Sequence, residues 1–480
     1  MSIANAISNA MSGLTATARG TENVAANLAN VMTPGYARRD MVISTQTASG
    51  GVRIDGVARI VNASLLAESR LAGSAVAQSS TVNAFQVQME TVIGLPGQIN
   101  SLGMALNDFQ AALGSAATRP DDDLRLAQVV SGANALAGRL NDASDAVQGA
   151  RSTAQQAIAS DVSVLNTSLD RVAYLNTRIS VLQADGADAS ALMDERQQVV
   201  DRIAAIVPVQ EVTREAGKVA LFTAEGAVLL DGSLPARIEF QGSSQVTADQ
   251  SLGAPLQLLT FNGAPLSAGQ MRLFGGGSLA ANFQIRDELA PGLQADLDAL
   301  AFDVHERLAS TQVDPSLGAG DPGLFTDQGN RATAANITGL AGRLTLNAAV
   351  DPAQGGQTWR LRSGLQTTTP GPVGAAGVLN GLLGAMDAQR APTSTGVDGT
   401  ATLGTRFGTL EARVSTGRVN SDADLAIRSS RFSTIASSIM ADGVDSDAEM
   451  QKLLQYEQSY AANARVLRAV DEMLDQILRM

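Results

Sequence analysis

The feature that most constrains this 480-residue chain is a heptad repeat at each end. Near the start, one line of positions seven residues apart holds Ile7, Leu14, Thr21 and Leu28, and a second line holds Ile3, Ala10, Thr17, Val24 and Val31. Two such positions per seven residues form the seam of a coiled coil, so residues 3–31 are predicted to be helical. The remaining positions are almost uncharged. Few ion pairs stabilise the helix, and we expect it to be marginal without a partner.

The C-terminal end mirrors this pattern from Met450 onward. One line holds Leu453, Tyr460, Leu467 and Leu474, and a second line holds Tyr456, Asn463, Val470 and Ile477. Acidic residues precede the repeat at Asp445, Asp447 and Glu449, where negative charge favours the start of a helix. Two narrow seams at opposite ends are natural partners for each other. An assembly interface, between these helices and with neighbouring subunits, is predicted to use Ile3, Ile7, Leu14 and Leu28 from the first helix and Leu453, Tyr460, Leu467 and Leu474 from the last.

The first helix is predicted to stop within the stretch ANLANVMTPGYARRD, residues 26–40. A residue before proline is pushed out of the helical region, so Thr33 is a poor helical residue and the helix is predicted to end near Met32. Pro34 and Gly35 suit the two central positions of a type II turn, because proline fixes φ and glycine tolerates a positive φ. From Tyr36 to Thr45 the alternation of side chains predicts an extended segment. The stretch is therefore a helix stop followed by a turn that redirects the chain.

Between the ends, the strongest helical period runs from Ile158 to Leu182, and further helices are predicted at 189–206, 285–308 and 405–441. Residues 53–114 and 124–147 are helical more loosely, and Arg119–Asp123 is a loop that ends in an N-cap. Short β-like runs fill 207–274 and 331–366, and the latter includes Gln357–Ser363. A Thr/Pro/Gly linker at 367–372 precedes a short helix, and 391–404 is a second joint.

The predicted fold is mainly α with β inserts. It contains paired terminal helices resembling a coiled coil, a long helical-bundle middle and small β-rich insertions. The expected units are a terminal helical domain, a helical middle domain, a β-rich insert, and a second β-rich insert with flexible linkers. Their ranges are 1–45 with 442–480, 46–206 with 278–312 and 405–441, 207–277, and 313–404.

Composition excludes several classes of function. A net charge of −13 would repel nucleic acid, and no apolar run is long enough to span a membrane. Without cysteine there is no disulfide, thiolate nucleophile or cysteine-based zinc site, and His305 is the only histidine. The start has neither a basic region nor an apolar region of a cleaved signal peptide. No metal or cofactor is expected.

Three candidate motifs favour structural roles. His305 does not share a helix face with Asp303 or Glu306, so we interpret it as a structural histidine. Asp442–Glu449 lacks the ligand spacing of a calcium loop and is predicted to cap a helix. Gly275–Ser278 lacks the lysine of a phosphate-binding loop and is interpreted as a hinge. Composition alone leaves a glycosidase-type carboxylate pair open, but aromatic residues make up 3% of the chain and Trp359 is the only tryptophan.

Both ends resemble one known family. ANLANVMTPGYARRD resembles the A-N-x-x-N-x-x-T-P-G-Y motif of bacterial flagellar rod, hook and hook-associated axial proteins. LLQYEQSYAANARVLRAVDEMLDQIL resembles the C-terminal helix of the same family, with its Y-x-A-x-A-x-V-x-x-x-D-E-M-L pattern. The length, the helical middle with LMDERQQVVDRIAAIV at 192–207, and LLQYEQSYAANARVL favour the hook-associated members at the hook–filament junction over the rod and hook proteins.

The resemblance implies a structural adapter rather than an enzyme. In the family, the terminal helices pair to form the inner tube of the axial structure, and the turn leads the chain outward. The residues that match the turn motif are Asn27, Asn30, Thr33, Pro34, Gly35 and Tyr36. Such proteins are exported unfolded through the flagellar type III apparatus without a cleaved signal, while a cytosolic chaperone holds the C-terminal helix before export.

By this resemblance the protein would form a ring at the hook tip and join hook to filament outside the cell, after a transient cytosolic stage. Its partners would be further copies of itself, the hook protein, the second junction protein and the export chaperone, with no nucleic acid and no membrane. One alternative is another axial protein, either the hook protein or the second junction protein. Another is a hydrolase carried on the flagellum, which would need a carboxylate pair in a cleft within residues 207–366.

Overall fold

The computed structural model describes residues 3–33, 35–46, 50–242, 245–252, 255–392 and 399–479. The helices are α1 Ile3–Ala29, α2 Ala63–Ile93, α3 Leu102–Thr118, α4 Asp123–Ala184, α5 Ser190–Ile206, α6 Gly277–Gln284, α7 Ala290–Leu308, α8 Arg360–Ser363, α9 Gly377–Asp387, α10 Leu403–Ala441 and α11 Ser446–Leu478. The strands are β1 Arg39–Thr45, β2 Val52–Arg59, β3 Val209–Thr213, β4 Val219–Thr223, β5 Val228–Asp231, β6 Leu234–Pro235, β7 Ile238–Glu239, β8 Ser251–Leu252, β9 Pro255–Leu256, β10 Thr260–Phe261, β11 Ala264–Pro265, β12 Phe325–Asp327 and β13 Leu344–Leu346. The predicted fold class, mainly helical with small sheets, is confirmed.

The two terminal helices pack against each other as predicted, with α11 running antiparallel to α1. Helix α1 ends at Ala29, and the chain turns into the antiparallel hairpin of β1 and β2. Helix α11 begins at the N-cap Asp445, whose carboxylate accepts hydrogen bonds from the backbone of Asp447 and Ala448. The acidic segment Asp442–Glu449 therefore caps a helix, as predicted.

The longest helix, α4, joins two stretches that were predicted as separate helices. It contains 62 residues, about 93 Å of helix at 1.5 Å per residue. Its N-cap is Asp122, whose carboxylate accepts from the backbone of Leu124 and Arg125, so the predicted capping loop is confirmed. Buried residues continue through the predicted gap at Ala150, Ala154 and Gln155, whose small or amide side chains weakened the apolar period.

Two hydrophobic cores lie along α4. The first surrounds its N-terminal half and includes α3, α7, α9, the end of α2 and the start of α10. The second surrounds Ile158–Ile179 and includes α5, α6 and strands β3, β4, β5 and β7. Because α4 contributes to both cores, it holds the helical middle and the first β-rich segment together.

The predicted β-rich character of 207–261 is confirmed. Strands β3 to β6 form an antiparallel sheet in sequence order, and β11, β10 and β7 form a second, smaller one. The predicted strand at Met271–Phe274 is wrong, because Gln270–Phe274 is a 3-10 helix that buries Phe274 against Phe261, with ring centroids 5.5 Å apart.

The glycine run that follows is a close contact at the end of α5. Gly277 has φ +70°, and an added Cβ there would lie 2.2 Å from the Ile206 carbonyl oxygen. Only glycine fits this position.

Two further predictions are corrected. Residues 53–59 are not helical: they belong to β2, which pairs with β1 and is followed by the Asn62 N-cap of α2. Residues 313–404 are not β-rich, since the described part holds the two-stranded sheet β12–β13 while Gln357–Ser363 contributes α8. Leu361 of α8 packs in the first core, and Gly364, with φ +112°, ends that helix.

The predicted linker at 367–372 and the short helix after it are confirmed by α9. The joint predicted at 391–404 lies partly outside the described residues, and the borders of the four predicted units remain a prediction.

Candidate functional site

The centre of the terminal helix pair is built from small residues of α1. An added Cβ at Gly20 would lie 2.5 Å from the Tyr456 ring, and one at Gly13 would lie 2.7 Å from the Asn463 amide. A real Cβ does not approach so closely, so both glycines are required for this contact. Glycine inside a helix costs about 1 kcal/mol relative to alanine. Here that cost is offset by the close approach of α11.

Asn27 is the polar centre of the site and is 1% exposed. Its Oδ1 accepts from the Tyr36 hydroxyl at 2.8 Å and from the Arg39 backbone N–H at 2.9 Å. Its Nδ2 donates to the Arg39 carbonyl at 2.9 Å and to Glu449 Oε2 at 3.0 Å. Both donors and both acceptor positions are therefore used. One side chain links the end of α1, the turn, strand β1 and helix α11.

The Glu449 carboxylate is buried at 1% exposure and carries the charge of this network. Its Oε1 lies 3.3 Å from Lys452 Nζ, which also lies 3.4 Å from Asp40 Oδ1 on β1. A buried carboxylate needs such partners, because an isolated charge pays a large desolvation cost. Asn27 and Lys452 together provide them.

The turn has the geometry predicted from Thr33-Pro34-Gly35-Tyr36. Gly35 has φ +78°, the Tyr36 N–H donates to the Thr33 carbonyl at 3.2 Å, and both features match a type II turn. Pro34 lies outside the described residues. Burial is the main cause that raises the pKa of Tyr36, whose ring lies 5.0 Å from the Arg39 guanidinium. The phenol therefore stays protonated and able to donate to Asn27.

Asp194 anchors the turn and the hairpin to α5. This carboxylate, in a residue 8% exposed, accepts from Arg59 Nε at 2.6 Å, from Arg39 Nη2 at 3.1 Å and from the Ala37 N–H at 3.3 Å. An added Cβ at Gly35 would lie 2.7 Å from the Gln198 side chain on the same helix. The terminal helices are thus tied to the helical middle through one buried acidic residue.

The residues predicted to form the interface lie beside this centre rather than in it. Tyr460 is exposed, and the others are half-buried: Ile3, Ile7, Leu14, Leu28, Leu453, Leu467 and Leu474. On α11 the second heptad line faces α1 more closely: Val470 is 4% exposed and Tyr456 and Asn463 are half-buried, whereas Ile477 at the end of the line is exposed. Of the turn motif, Thr33 is exposed, while Asn30 donates to the Ala26 carbonyl and accepts from the Thr33 hydroxyl. A role in assembly remains a prediction for all of these residues.

The sequence interpretation missed several residues of the site. Gly13 and Gly20 lie one heptad apart inside a helix, and this costly placement was a usable signal for a close helix contact. Glu449 and Asp194 gave no such signal, because Asn27 lies 422 residues from Glu449 and the partners of Asp194 lie 135–157 residues away in sequence.

The side chains of this site hold distant parts of the chain together. Among the described residues, no group of three or more His, Asp or Glu side chains is placed to hold a metal ion. Over the same residues, no helix is both long and apolar enough for a membrane span. His305 is fully buried in α7, where its Nδ1 lies 2.8 Å from the Phe325 carbonyl and its Nε2 accepts from the Ala332 N–H.

Family models match two parts of the chain. Residues 87–314 match the flagellar hook-associated protein FlgK helical domain, and residues 440–480 match the flagellar basal body rod FlgEFG protein C-terminal region. The first match includes α3, α4, α5 and Asp194, and the second includes α11 and Glu449.

Curated relatives carry the name flagellar hook-associated protein 1. The protein from Salmonella typhimurium is 29% identical over 238 residues, which cover 47% of this chain and 42% of that protein. The protein from Escherichia coli is 28% identical over 238 residues, covering 47% and 43%. The chain thus spans less than half the length of these two relatives. The Bacillus subtilis protein is 22% identical over 508 residues, covering 98% of this chain and 97% of that protein.

One solved structure is similar in part. The flagellar hook junction protein FlgK from Burkholderia pseudomallei aligns with a TM-score of 0.44 and 20% identity, covering 54% of this chain and 46% of that one.

Proposed function

We propose that the chain is a member of the flagellar hook-associated protein FlgK family, a structural component of the flagellar axis, and that it joins hook to filament. In this proposal the protein is exported unfolded by the type III apparatus and assembles as a ring at the hook tip. It contacts neighbouring copies, the hook protein on one side and the second junction protein on the other. Before export, a cytosolic chaperone holds its C-terminal helix.

The observation that carries the proposal is the unpartnered apolar surface of the terminal helices. On α11, the exposed side chains include Leu454, Tyr460, Val466, Met473 and Ile477, and Met11 is exposed on α1. Scattered apolar residues are ordinary on a surface, but a series along one helix favours a contact with another chain. We propose that neighbouring copies cover this surface in the axial structure.

The fixed turn supports the same role. The buried links from Asn27 to Glu449 and from Asp194 to Arg39 hold the helix pair in one orientation relative to the helical middle. An adapter between two lattices needs such a fixed geometry, because each subunit must present the same surfaces to both neighbours. The helical middle and its β-rich segment would then form the outer wall.

A null mutant of the source bacterium tests the proposal. We expect electron microscopy to show hooks without filaments, and we expect filament subunits to accumulate in the medium. Complementation with the full chain should restore filaments. Normal filaments in the null mutant would contradict a junction role, and loss of the hook itself would indicate a hook or rod protein.

A substitution on the predicted heptad line tests the assembly surface. Leu467 is half-buried, and in a ring it should become buried against neighbours. Leu467→Asp would then place a charge in an apolar contact, at a cost of several kcal/mol per subunit. We expect the variant to be exported, to keep the thermal unfolding of its middle domain, and to support no filament growth.

The matched control is Arg468→Asp, one residue away and exposed. It introduces the same carboxylate outside the predicted contact line, so filament growth should be reduced much less. Equal growth with both variants would show that the line around Leu467 is not an assembly contact. Unfolding of the middle domain by Leu467→Asp would contradict the proposal in the same way.

A further inference from the structure

The contacts between α1 and α11 follow a strict spacing. Gly13 faces Asn463, Gly20 faces Tyr456, and Asn27 faces Glu449. Each step of seven residues forward along α1 is matched by a step of seven residues backward along α11. The same spacing places Ala6 opposite Val470, which is buried. The helix pair is therefore a ladder whose rungs repeat every heptad.

A ladder of this kind permits more than one register. If α11 slips by one heptad, about 10.5 Å along α1, the repeat again aligns its rungs. In one direction Tyr456 would lie over Gly13 instead of Gly20. Both positions are glycines, so each leaves room for the Tyr456 ring.

We propose that Glu449 determines the register of α11 on α1. In the observed register its carboxylate accepts from Asn27 and lies beside Lys452. In the shifted register that keeps Tyr456 over a glycine, Glu449 would face Gly20, which has no side chain to donate. Slipping the other way would carry Glu449 past the end of α1. A single buried polar residue in an apolar seam is the best-attested way to specify helix register.

This inference goes beyond the proposed function, because the register within one chain can be measured whatever the protein joins. It also differs from a general contribution to stability. A residue that only stabilises the pair would weaken every register alike when it is removed. A register-determining residue changes the ratio between registers, and that ratio is the quantity to measure.

Engineered disulfides report the register directly, since the natural chain has no cysteine. Ala6→Cys is combined in turn with Val470→Cys for the observed register, and with Asn463→Cys or Ile477→Cys for the two slips of one heptad. The full-length protein is oxidised under mild conditions, and intrachain cross-links are quantified by non-reducing electrophoresis. Disulfides require Cβ atoms about 3.5–4.5 Å apart, so each pair reports one register.

With Glu449 present, the Val470→Cys pair should form nearly all of the cross-link. Glu449→Leu should raise the ratio of slipped to observed cross-links at least about tenfold, because the buried charge no longer selects the register. Glu449→Gln should restore the original ratio to within about threefold, because its amide oxygen can still accept from Asn27. An unchanged ratio in Glu449→Leu would overturn the proposal. So would equal formation of the three cross-links with Glu449 present.

A second pair of variants guards against loss of folding in Glu449→Leu. Asn27→Ala with Gly20→Asn moves the hydrogen-bond partner of Glu449 by one heptad, and should shift the cross-link toward the Asn463→Cys pair. Its matched control, Asn27→Ala with Gly20→Ala, crowds Tyr456 in the same way but offers Glu449 no amide. The proposal requires at least about a fivefold larger shift with Gly20→Asn than with Gly20→Ala. Equal shifts would show that crowding at Gly20, and not Glu449, sets the register.

Discussion

The buried amide of Asn27 should be the most sensitive position of the terminal unit. Asn27→Ala removes the partners of the Arg39 N–H, the Arg39 carbonyl and one Glu449 oxygen, all at the buried junction of α1, β1 and α11. A buried polar group left unpaired costs about 1–3 kcal/mol. The Tyr36 hydroxyl also loses its acceptor, but its half-buried side chain can turn toward water.

Three unpaired groups give an expected loss of about 3–9 kcal/mol in the local free energy of unfolding. At about 1.4 kcal/mol per factor of ten, this corresponds to roughly a 10²–10⁶-fold loss of amide protection. Hydrogen exchange followed by mass spectrometry measures it on the soluble full-length protein. The loss should be confined to α1, β1 and the start of α11, while α4, in the two cores, keeps its protection.

Asn30→Ala is the matched control, because it removes the other asparagine of the same motif. Asn30 donates to the Ala26 carbonyl and accepts from Thr33, both local contacts near the surface. Its loss should cost at most about 1 kcal/mol. Equal protection changes in the two variants, or a cost below about 1 kcal/mol for Asn27→Ala, would refute the assignment of Asn27 as the link between turn, strand and helix.

Three further predictions concern Gly20, Gly35 and His305. Gly20→Leu should displace α11, because even a Cβ at this position would lie 2.5 Å from the Tyr456 ring. Adding Tyr456→Ala to this variant should restore the amide protection of α11. If protection is not restored, the Tyr456 ring is not what the leucine displaces. Gly35→Val should lower the free energy of unfolding of the terminal unit by about 1–3 kcal/mol, because Gly35 has φ +78° and an added Cβ would crowd Gln198. Gly35→Asn should have a smaller effect, since asparagine tolerates a positive φ better than valine. Equal loss of amide protection in the two variants would contradict the turn assignment. Burial lowers the pKa of His305 below its ordinary value, so on acidification the unfolded chain binds a proton before the folded chain does. The free energy of unfolding should therefore fall as the pH drops below about 6.5, and it should level off below the pKa of the folded state. Urea midpoints at pH 7.5 and pH 5 should therefore differ more in the natural protein than in His305→Gln, and an equal difference would exclude His305 as the cause.

Features that depend only on neighbouring residues could be predicted from the amino-acid order. The heptad lines predicted both terminal helices, Pro34 and Gly35 predicted the turn after α1, and the loop Arg119–Asp123 predicted the start of α4. Each of these depends on backbone preferences or hydrogen bonds within a few residues, so the amino-acid order is sufficient. The wide apolar stripes of α4, α5 and α7 were predictable for the same reason.

Short segments were decided by distant partners. Residues 53–59 were predicted as helix but form β2, because β1 offers a full ladder of backbone hydrogen bonds across the hairpin. Gln357–Ser363 alternates like a strand, yet Leu361 is buried in the first core as part of α8, and no neighbouring strand pairs with it among the described residues. Over so few residues, intrinsic propensity is weaker than the energy of packing or strand pairing, so contacts with distant residues set the conformation of both segments.

The candidate site divides in the same way. The motif residues and the two helices could be read from the sequence, but the face that each helix turns inward could not. Gly13 and Gly20 lie at the centre because α11 approaches them there, and Glu449 and Asp194 matter because Asn27 and Arg39 reach them from far along the chain. A buried carboxylate is stable only beside its partners, and only the folded chain brings those partners together.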